Sequence, residues 1–267
     1  MARPAAAALT PAPRELLGTA ALDVAVPGRR LVEALDFAVA AGQFVCVLGA
    51  NGAGKSLTLH TLAGLRAPTA GTVRLCGRLL GDWPRRERAR RLGLLTQVSE
   101  DPFPGTVLDA VLVGRHPHVS LWHWESEADV AVARAALAAC DLAGLEERAI
   151  DTLSGGERRR AALAAVLAQD PDVLLLDEPQ NHLDPHHQLD VLKLLRSRAD
   201  RGRAVLAALH DPSLAARFAD QVLLLYGDGR WAFGDTATTL TAAALSDMYQ
   251  VSFEEVLVGG RRLFLSD

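Results

Sequence analysis

Residues 49–56 read Gly-Ala-Asn-Gly-Ala-Gly-Lys-Ser, directly after the run Gln43-Phe44-Val45-Cys46-Val47-Leu48. A buried strand entering a glycine-rich turn that ends in Lys-Ser leaves few folds open, because that turn has a mechanical purpose. Gly49, Gly52 and Gly54 let the backbone curl so that its N–H groups point inward at an anion. Lys55 adds a point charge able to reach β and γ phosphates, and the Ser56 hydroxyl can ligate Mg²⁺. A helix is expected to start here, and its N-terminal dipole also favours a bound anion. A glycine-rich turn with a chance lysine would not need the strand in front of it.

The 267 residues suffice for one large α/β domain, or a core with a smaller lobe, and 49% of them are hydrophobic. A net charge of −4 gives no global argument for binding nucleic acid or a membrane surface. Arginines cluster at 85–91, but Glu87 breaks the run and the spacing fits the solvated face of a helix, with a docking surface as the alternative. Cys46, Cys76 and Cys140 lack metal-ligand spacing, and their odd number argues against a disulfide framework. They read as small buried side chains in a reducing compartment. Residues 1–19 are poor in large apolar side chains and read as a disordered leader. The uncharged stretch 37–54 is broken by glycines and polar residues, so it is strand and loop, not a membrane span.

Between 20 and 48, short apolar runs alternate with turn residues such as Pro27-Gly28, predicting a β-rich portion. A helix is expected at 57–65, and strands at 72–75 and 92–97. Residues 100–150 change character: a breaker cluster at 101–105 is followed by helical patterns at 107–113 and 127–139. The uninterrupted aliphatic run at 173–177 predicts a fully buried strand, and 204–209 and 222–226 predict two more. Strands alternating with helices favour a parallel sheet, which places ligands at the carboxyl ends of its strands.

Asp177 and Glu178 close the strand at 173–177. A carboxylate there, beside a phosphate loop, is placed to hold a metal through water, and the next carboxylate to polarise an attacking water. Leu153-Ser154-Gly155-Gly156-Glu157 precedes a helical stretch at 158–168. Ser154 can cap that helix while the two glycines leave its N–H groups open, making a second anion site in the same chain.

In this order, these motifs resemble the nucleotide-binding subunits of ATP-binding cassette (ABC) transporters over residues 20–258. The resemblance matches 49–56 to Walker A, Gln97 to the Q-loop, 153–157 to the signature, 173–177 to Walker B, Asn181-His182-Leu183-Asp184 to the D-loop and His210 to the switch histidine. It implies a P-loop cassette with a RecA-like parallel-sheet core, an N-terminal antiparallel β portion and a helical subdomain at about 100–160. Residues 259–267 are left as a C-terminal tail. It implies ATP hydrolysis with Mg²⁺, with Glu178 as catalytic glutamate, His210 at the γ-phosphate, and Gln97 linking the metal to a membrane partner. Ser56, Gln97 and Asp177 would serve the metal, partly through water; Gly49, Asn51, Gly52, Gly54, Lys55, Ser56, Leu57 and Asp184 would line the nucleotide. Two copies would pair head to tail, so that Ser154, Gly155 and Gly156 meet the γ-phosphate held by the opposite Lys55.

The chain departs from the family pattern in places. Val26 stands where an aromatic residue usually stacks on adenine, Leu57 replaces a threonine, and Gln180 stands where threonine is common. With one cassette and no membrane span, the permease is expected to be a separate polypeptide. Residues 103–107, 113–118 and 245–265 resemble ATPases of iron-chelate, haem and vitamin B12 importers. That implies a subunit on the cytoplasmic face of the inner membrane, held by its permease and served indirectly by a periplasmic binding protein, with no nucleic acid. Phe103, Val107, Leu112 and Arg115 are expected near the permease contact, the alternative being lobe core. The histidines at 116, 118 and 123 invite a metal reading that the resemblance does not favour, since the substrate of such importers does not touch this subunit. Competing functions are a soluble ABC ATPase acting on ribosomes or DNA, and a weakly hydrolysing nucleotide-gated subunit.

Overall fold

A computed structural model describes residues 14–97, 105–120 and 124–267. The described residues open with an antiparallel sheet. Strand β1 (Glu15–Val26) pairs with β2 (Arg29–Leu35), with the short β3 (Ala38–Ala40), and later with β5 (Ala70–Leu75), which pairs with β6 (Arg78–Leu79). Between these lie β4 (Phe44–Gly49) and helix α1 (Lys55–Leu62). The arginine-rich α2 (Arg85–Arg91) leads into β7 (Leu92–Leu95). Three helices follow, α3 (Val107–Leu112), α4 (Glu127–Ala139) and α5 (Gly155–Ala168). The core resumes with β8 (Val173–Asp177), α6 (Pro185–Asp200), β9 (Ala204–Ala208), α7 (Pro212–Phe218), β10 (Gln221–Leu225) and β11 (Trp231–Asp235). Helices α8 (Thr236–Thr239) and α9 (Ala242–Tyr249) precede a closing hairpin of β12 (Phe253–Val258) and β13 (Arg261–Ser266).

The central sheet has the order β11-β10-β4-β9-β8-β7, parallel except for the edge strand β11. Its middle strands are apolar throughout because both of their faces are covered. Phe44, Cys46 and Leu48 of β4 join one hydrophobic cluster with Leu174, Leu176, Val205 and Ala207. Val45 and Val47 join the other, with Val173, Leu175, Leu206 and the antiparallel sheet. The alternation of side chains along a strand thus distributes one apolar run between two cores.

The helical lobe is set by local signals. Thr106, Ser126 and Ser154 each accept the N–H three residues on, and Asp109, Asp129 and Glu157 reach back to the N–H of the cap, making capping boxes at the starts of α3, α4 and α5. Gly114 lets the turn after α3 press on α5: a Cβ there would sit 2.0 Å from the Ala165 carbonyl oxygen. The arginines of α2 are partly committed within the chain, since Arg86 and Arg90 donate to the Pro117 carbonyl and Arg91 pairs with Asp172.

Two expected boundaries are corrected. Residues 15–19 are strand and not leader, because Leu17 pairs with both Val39 and Leu75 and is fully buried; residues 1–13 lie outside the described residues. The expected tail at 259–267 contains β13, joined to β12 across Gly259 and Gly260, both in the left-handed region. Phe264 of β13 is buried, and its N–H donates to the Ser213 hydroxyl of α7. All three cysteines are free; Cys46 and Cys140 are buried as expected, whereas Cys76 is only half-buried. Among the described residues no helix is long and apolar enough to cross a membrane.

Candidate functional site

The carboxyl ends of four neighbouring parallel strands meet at one place. β4 ends in the glycine-rich loop, β8 in Asp177 and Glu178, β9 is followed by His210, and β7 by Thr96 and Gln97. Gly54 has φ +102° and caps α1 in a left-handed conformation, with the Leu31 side chain against it. No side chain caps α1, so its first N–H groups stay turned toward the loop. Lys55 is buried, and its ammonium donates to the carbonyls of Gly49 (2.7 Å) and Ala50 (3.4 Å), which holds the charge over the loop. Burial lowers the Lys55 pKa, opposed by the charges of Glu178 and Asp177. Asn51 and Gly52 are exposed at the loop tip, and Leu57 turns toward the second core cluster.

Asp177 is fully buried, and neither carboxylate oxygen makes a well-formed hydrogen bond to any described residue. Burial pushes its pKa up; the nearby Ser56 hydroxyl opposes this and the Glu178 charge reinforces it. An unpartnered buried carboxylate is costly unless something else satisfies it. With a hydroxyl beside it, this is an oxygen donor set that suits a hard divalent cation, so the residues fit Mg²⁺.

Glu178 is held from three sides. His210 Nε2 lies 2.6 Å from Oε1, Gln97 Nε2 donates to Oε2 at 2.9 Å, and Asn181 Nδ2 also donates to Oε2. Its backbone has φ +50°, a strained conformation for a side chain of this kind. Glu178, His210, Gln97, Asp177, Ser56 and Lys55 therefore form one group. A carboxylate oriented by a histidine and two amides can accept a proton from water, next to a loop and a lysine that can hold phosphates.

The segment expected to form a second anion site stands apart from this group. Ser154 and Gly155 are exposed at the free end of α5. Ser154 accepts the Glu157 N–H at 3.2 Å, and Gly156 lies against the D-loop, where a Cβ would sit 3.1 Å from the His182 carbonyl oxygen. Asp184 caps α6, accepting from the N–H (3.0 Å) and pairing with Nδ1 (2.7 Å) of His187. Its side chain is engaged within its own helix. Val26 is half-buried and packs against the second cluster.

These motifs and their placement agree with a family model described as "ABC transporter", which matches residues 32–181. The chain belongs to the ABC transporter family. It is an ABC ATPase, binding and hydrolysing ATP. It is 45% identical over 224 residues to a hemin import ATP-binding protein of Nocardia farcinica, covering 84% of this chain and 77% of that protein. It is 41% identical over 215 residues to a cobalamin import ATP-binding protein of Halobacterium salinarum, covering 80% of this chain and 53% of that protein. Its fold superposes with a TM-score of 0.82 on a solved inward-facing ABC transporter assigned to the metal-chelate type, at 28% identity, covering 95% of this chain and 98% of the other.

Two contacts at the site are not among the sequence expectations. Asn181 binds Glu178 directly; its place three residues after the glutamate, across a turn, was the available signal. Arg159 is buried between the signature helix and the strand ends; its place on the same helix face as Leu163 was the signal there. The expected permease contacts fare unevenly. Val107 is fully buried in the first cluster and Leu112 packs against it. Arg115 pairs with Asp129 at 2.9 Å and donates to the Ala168 carbonyl. The side chains of Val107 and Arg115 are thus engaged within the lobe, as its core alternative expects. Phe103 and His123 lie outside the described residues. His118 is satisfied by the Gln169 carbonyl at 2.9 Å, and the described residues contain no cluster able to hold a metal through histidine, cysteine and carboxylates together.

Proposed function

We propose that two copies of this chain close head to tail on two Mg-ATP and, through a separate permease, energise import of an iron chelate, haem or a vitamin B12-like compound. The observation that carries this reading is the pair of glycine-rich helix starts on one chain, at 49–56 and at 154–156. One is buried and equipped with Lys55, Asp177 and Glu178. The other has Ser154 and Gly155 exposed and Gly156 half-buried beside them, and the Glu157 carboxylate in that turn is engaged by the Ser154 N–H. Each would be half of a site completed by the other copy. Ser56 and Asp177 would hold Mg²⁺, which neutralises phosphate charge, and Gln97 would report on it to the permease. Glu178 would take the proton of the attacking water, with His210 placed at the γ-phosphate. Gly49, Asn51, Gly52 and Gly54 would wrap the phosphates with backbone N–H groups.

The similarity to import ATPases supports the importer assignment and leaves the cargo to the permease and a periplasmic binding protein. The subunit would then sit on the cytoplasmic face of the inner membrane without entering it. Copurification with its permease, reconstitution in vesicles and uptake of labelled haem, ferric chelate and cobalamin in parallel test this. ATP-driven uptake of one of them, lost in Lys55→Ala, is expected. ATP hydrolysis with no permease bound and no uptake would refute the importer role.

A further inference from the structure

Helix α5 carries three consecutive arginines, and the middle one points inward. Arg159 is 5% exposed and heads a buried stripe continued by Leu163 and Leu167. Its Nη1 donates to the carbonyls of Thr96 (2.5 Å) and Gln97 (3.3 Å). Its Nη2 donates to the carbonyls of Glu178 (2.8 Å) and Asp177. One planar guanidinium thus joins the ends of β7 and β8 to the helix that begins with the signature. Burying that charge is expensive, and the four carbonyl acceptors and the nearby charges of Asp177 and Glu178 offset the cost. The fork shape matters, because a lysine ammonium could not address two strand ends together.

Three features give this contact a role beyond packing. The Asp177 and Glu178 carbonyls flank the Glu178 Cα, so Arg159 holds both peptide units around a residue strained at φ +50°. The same guanidinium holds the backbone of Gln97, whose side chain donates to Glu178. Ser154 lies five residues before Arg159 on the same rigid helix, about 7 Å along its axis. A shift of the exposed helix end therefore cannot leave the base of the same chain undisturbed.

We propose that Arg159 is a positioning residue that couples the signature end of α5 to Glu178 of the same chain. In the head-to-tail dimer, on which this inference rests, the signature meets ATP held by the other copy, while Glu178 serves ATP held by its own Lys55. Arg159 is then the link by which one composite site adjusts the other. The occupied signature draws α5 toward the phosphate, and the guanidinium carries the Gln97 and Glu178 backbones with it.

The full-length chain tests this with Arg159→Gln and Arg159→Lys, the second keeping charge and bulk should the first fold poorly. The readouts are the dissociation constant of a fluorescent ATP analogue for the monomer, kcat, and the Hill coefficient of ATP hydrolysis. In Arg159→Lys, kcat should fall about tenfold to a hundredfold while nucleotide affinity stays within about twofold. The Hill coefficient should drop toward one. A residue that merely stabilises the fold would lower the active fraction and leave the Hill coefficient of the remainder unchanged. An unchanged Hill coefficient in both variants, or a kcat within about twofold of wild type, would overturn the proposal. A wild-type chain hydrolysing ATP without cooperativity would likewise overturn the coupling, whereas the head-to-tail dimer is tested separately, by whether Glu178→Gln dimerises with Mg-ATP.

Discussion

The carboxyl edge of the parallel sheet and the free end of α5 are both shaped to receive anions, but they are finished differently. At the sheet edge the charged groups are buried and answer one another: Lys55 on the loop carbonyls, Glu178 between His210, Gln97 and Asn181. At the end of α5 the capping Ser154 and Gly155 are open to solvent, Gly156 is half-buried against the D-loop, and the Glu157 carboxylate is spent on the Ser154 N–H. The first region would supply chemistry from the buried Lys55, Asp177 and Glu178, where electrostatic effects are strong, with His210 and Gln97 exposed beside them. The second supplies hydrogen-bond donors that gain strength only when another surface covers them. On the proposed function, the contrast would explain why the described residues hold two candidate phosphate-binding segments and one candidate set of catalytic groups.

Substitutions at the two regions should therefore fail in different ways. Glu178→Gln removes the proton acceptor and keeps the shape, so kcat should fall by about 10² to 10⁴ with ATP affinity retained, as measured by phosphate release and analogue binding. Equal loss of binding and turnover would show that Glu178 is chiefly structural. Ser154→Arg should reduce hydrolysis about a hundredfold while the isolated chain binds nucleotide as tightly as wild type. Weaker binding by that monomer would mean that the signature belongs to the same site as its own Lys55. Lys55→Ala should weaken nucleotide binding itself by roughly tenfold to a hundredfold, since a charge-assisted contact to phosphate is lost.

The smallest effect is expected where neither region is touched. Ser126→Ala removes the cap of α4 and should cost about 1 kcal/mol in urea unfolding, with no change in ATP affinity. This cap also has a pH signature. Hydrogen bonds from Ser126, with help from Arg115, hold the Asp129 pKa down to about 2. A depressed carboxylate stabilises the fold above its unfolded pKa of about 4 and loses that contribution as pH falls through the folded value. The gap between wild type and Ser126→Ala should thus narrow from pH 4 toward pH 2; a constant gap would show that the carboxylate does not take part.

What the sequence made legible were features written in contiguous residues. The loop at 49–56, the buried run at 173–177 and the Ser-x-x-Glu pattern at 154–157 each carry their geometry locally, and they placed the sheet, the loop and the signature helix. The limits of α4 are legible outright, because an acidic start and the alanine-rich stretch behind it are sufficient signals. Long-range pairing was the hidden part. Residues 15–19 look featureless until β3 and β5 arrive beside them. The burial of Arg159 depends on two strand ends more than sixty and nearly twenty residues away, at Gln97 and Asp177. The closing hairpin was different: Gly259-Gly260 between two alternating runs is a recognisable turn signal, and treating 259–267 as a tail passed over it.

Sedimentation of Glu178→Gln with saturating Mg-ATP, beside the same variant carrying Ser154→Arg, bears most directly on the two half-sites. The single variant should sediment at twice the monomer mass and the double variant as a monomer. A single variant that stays monomeric, or a dimer indifferent to Ser154→Arg, would contradict the claim that each triphosphate lies between the loop of one copy and the signature of the other.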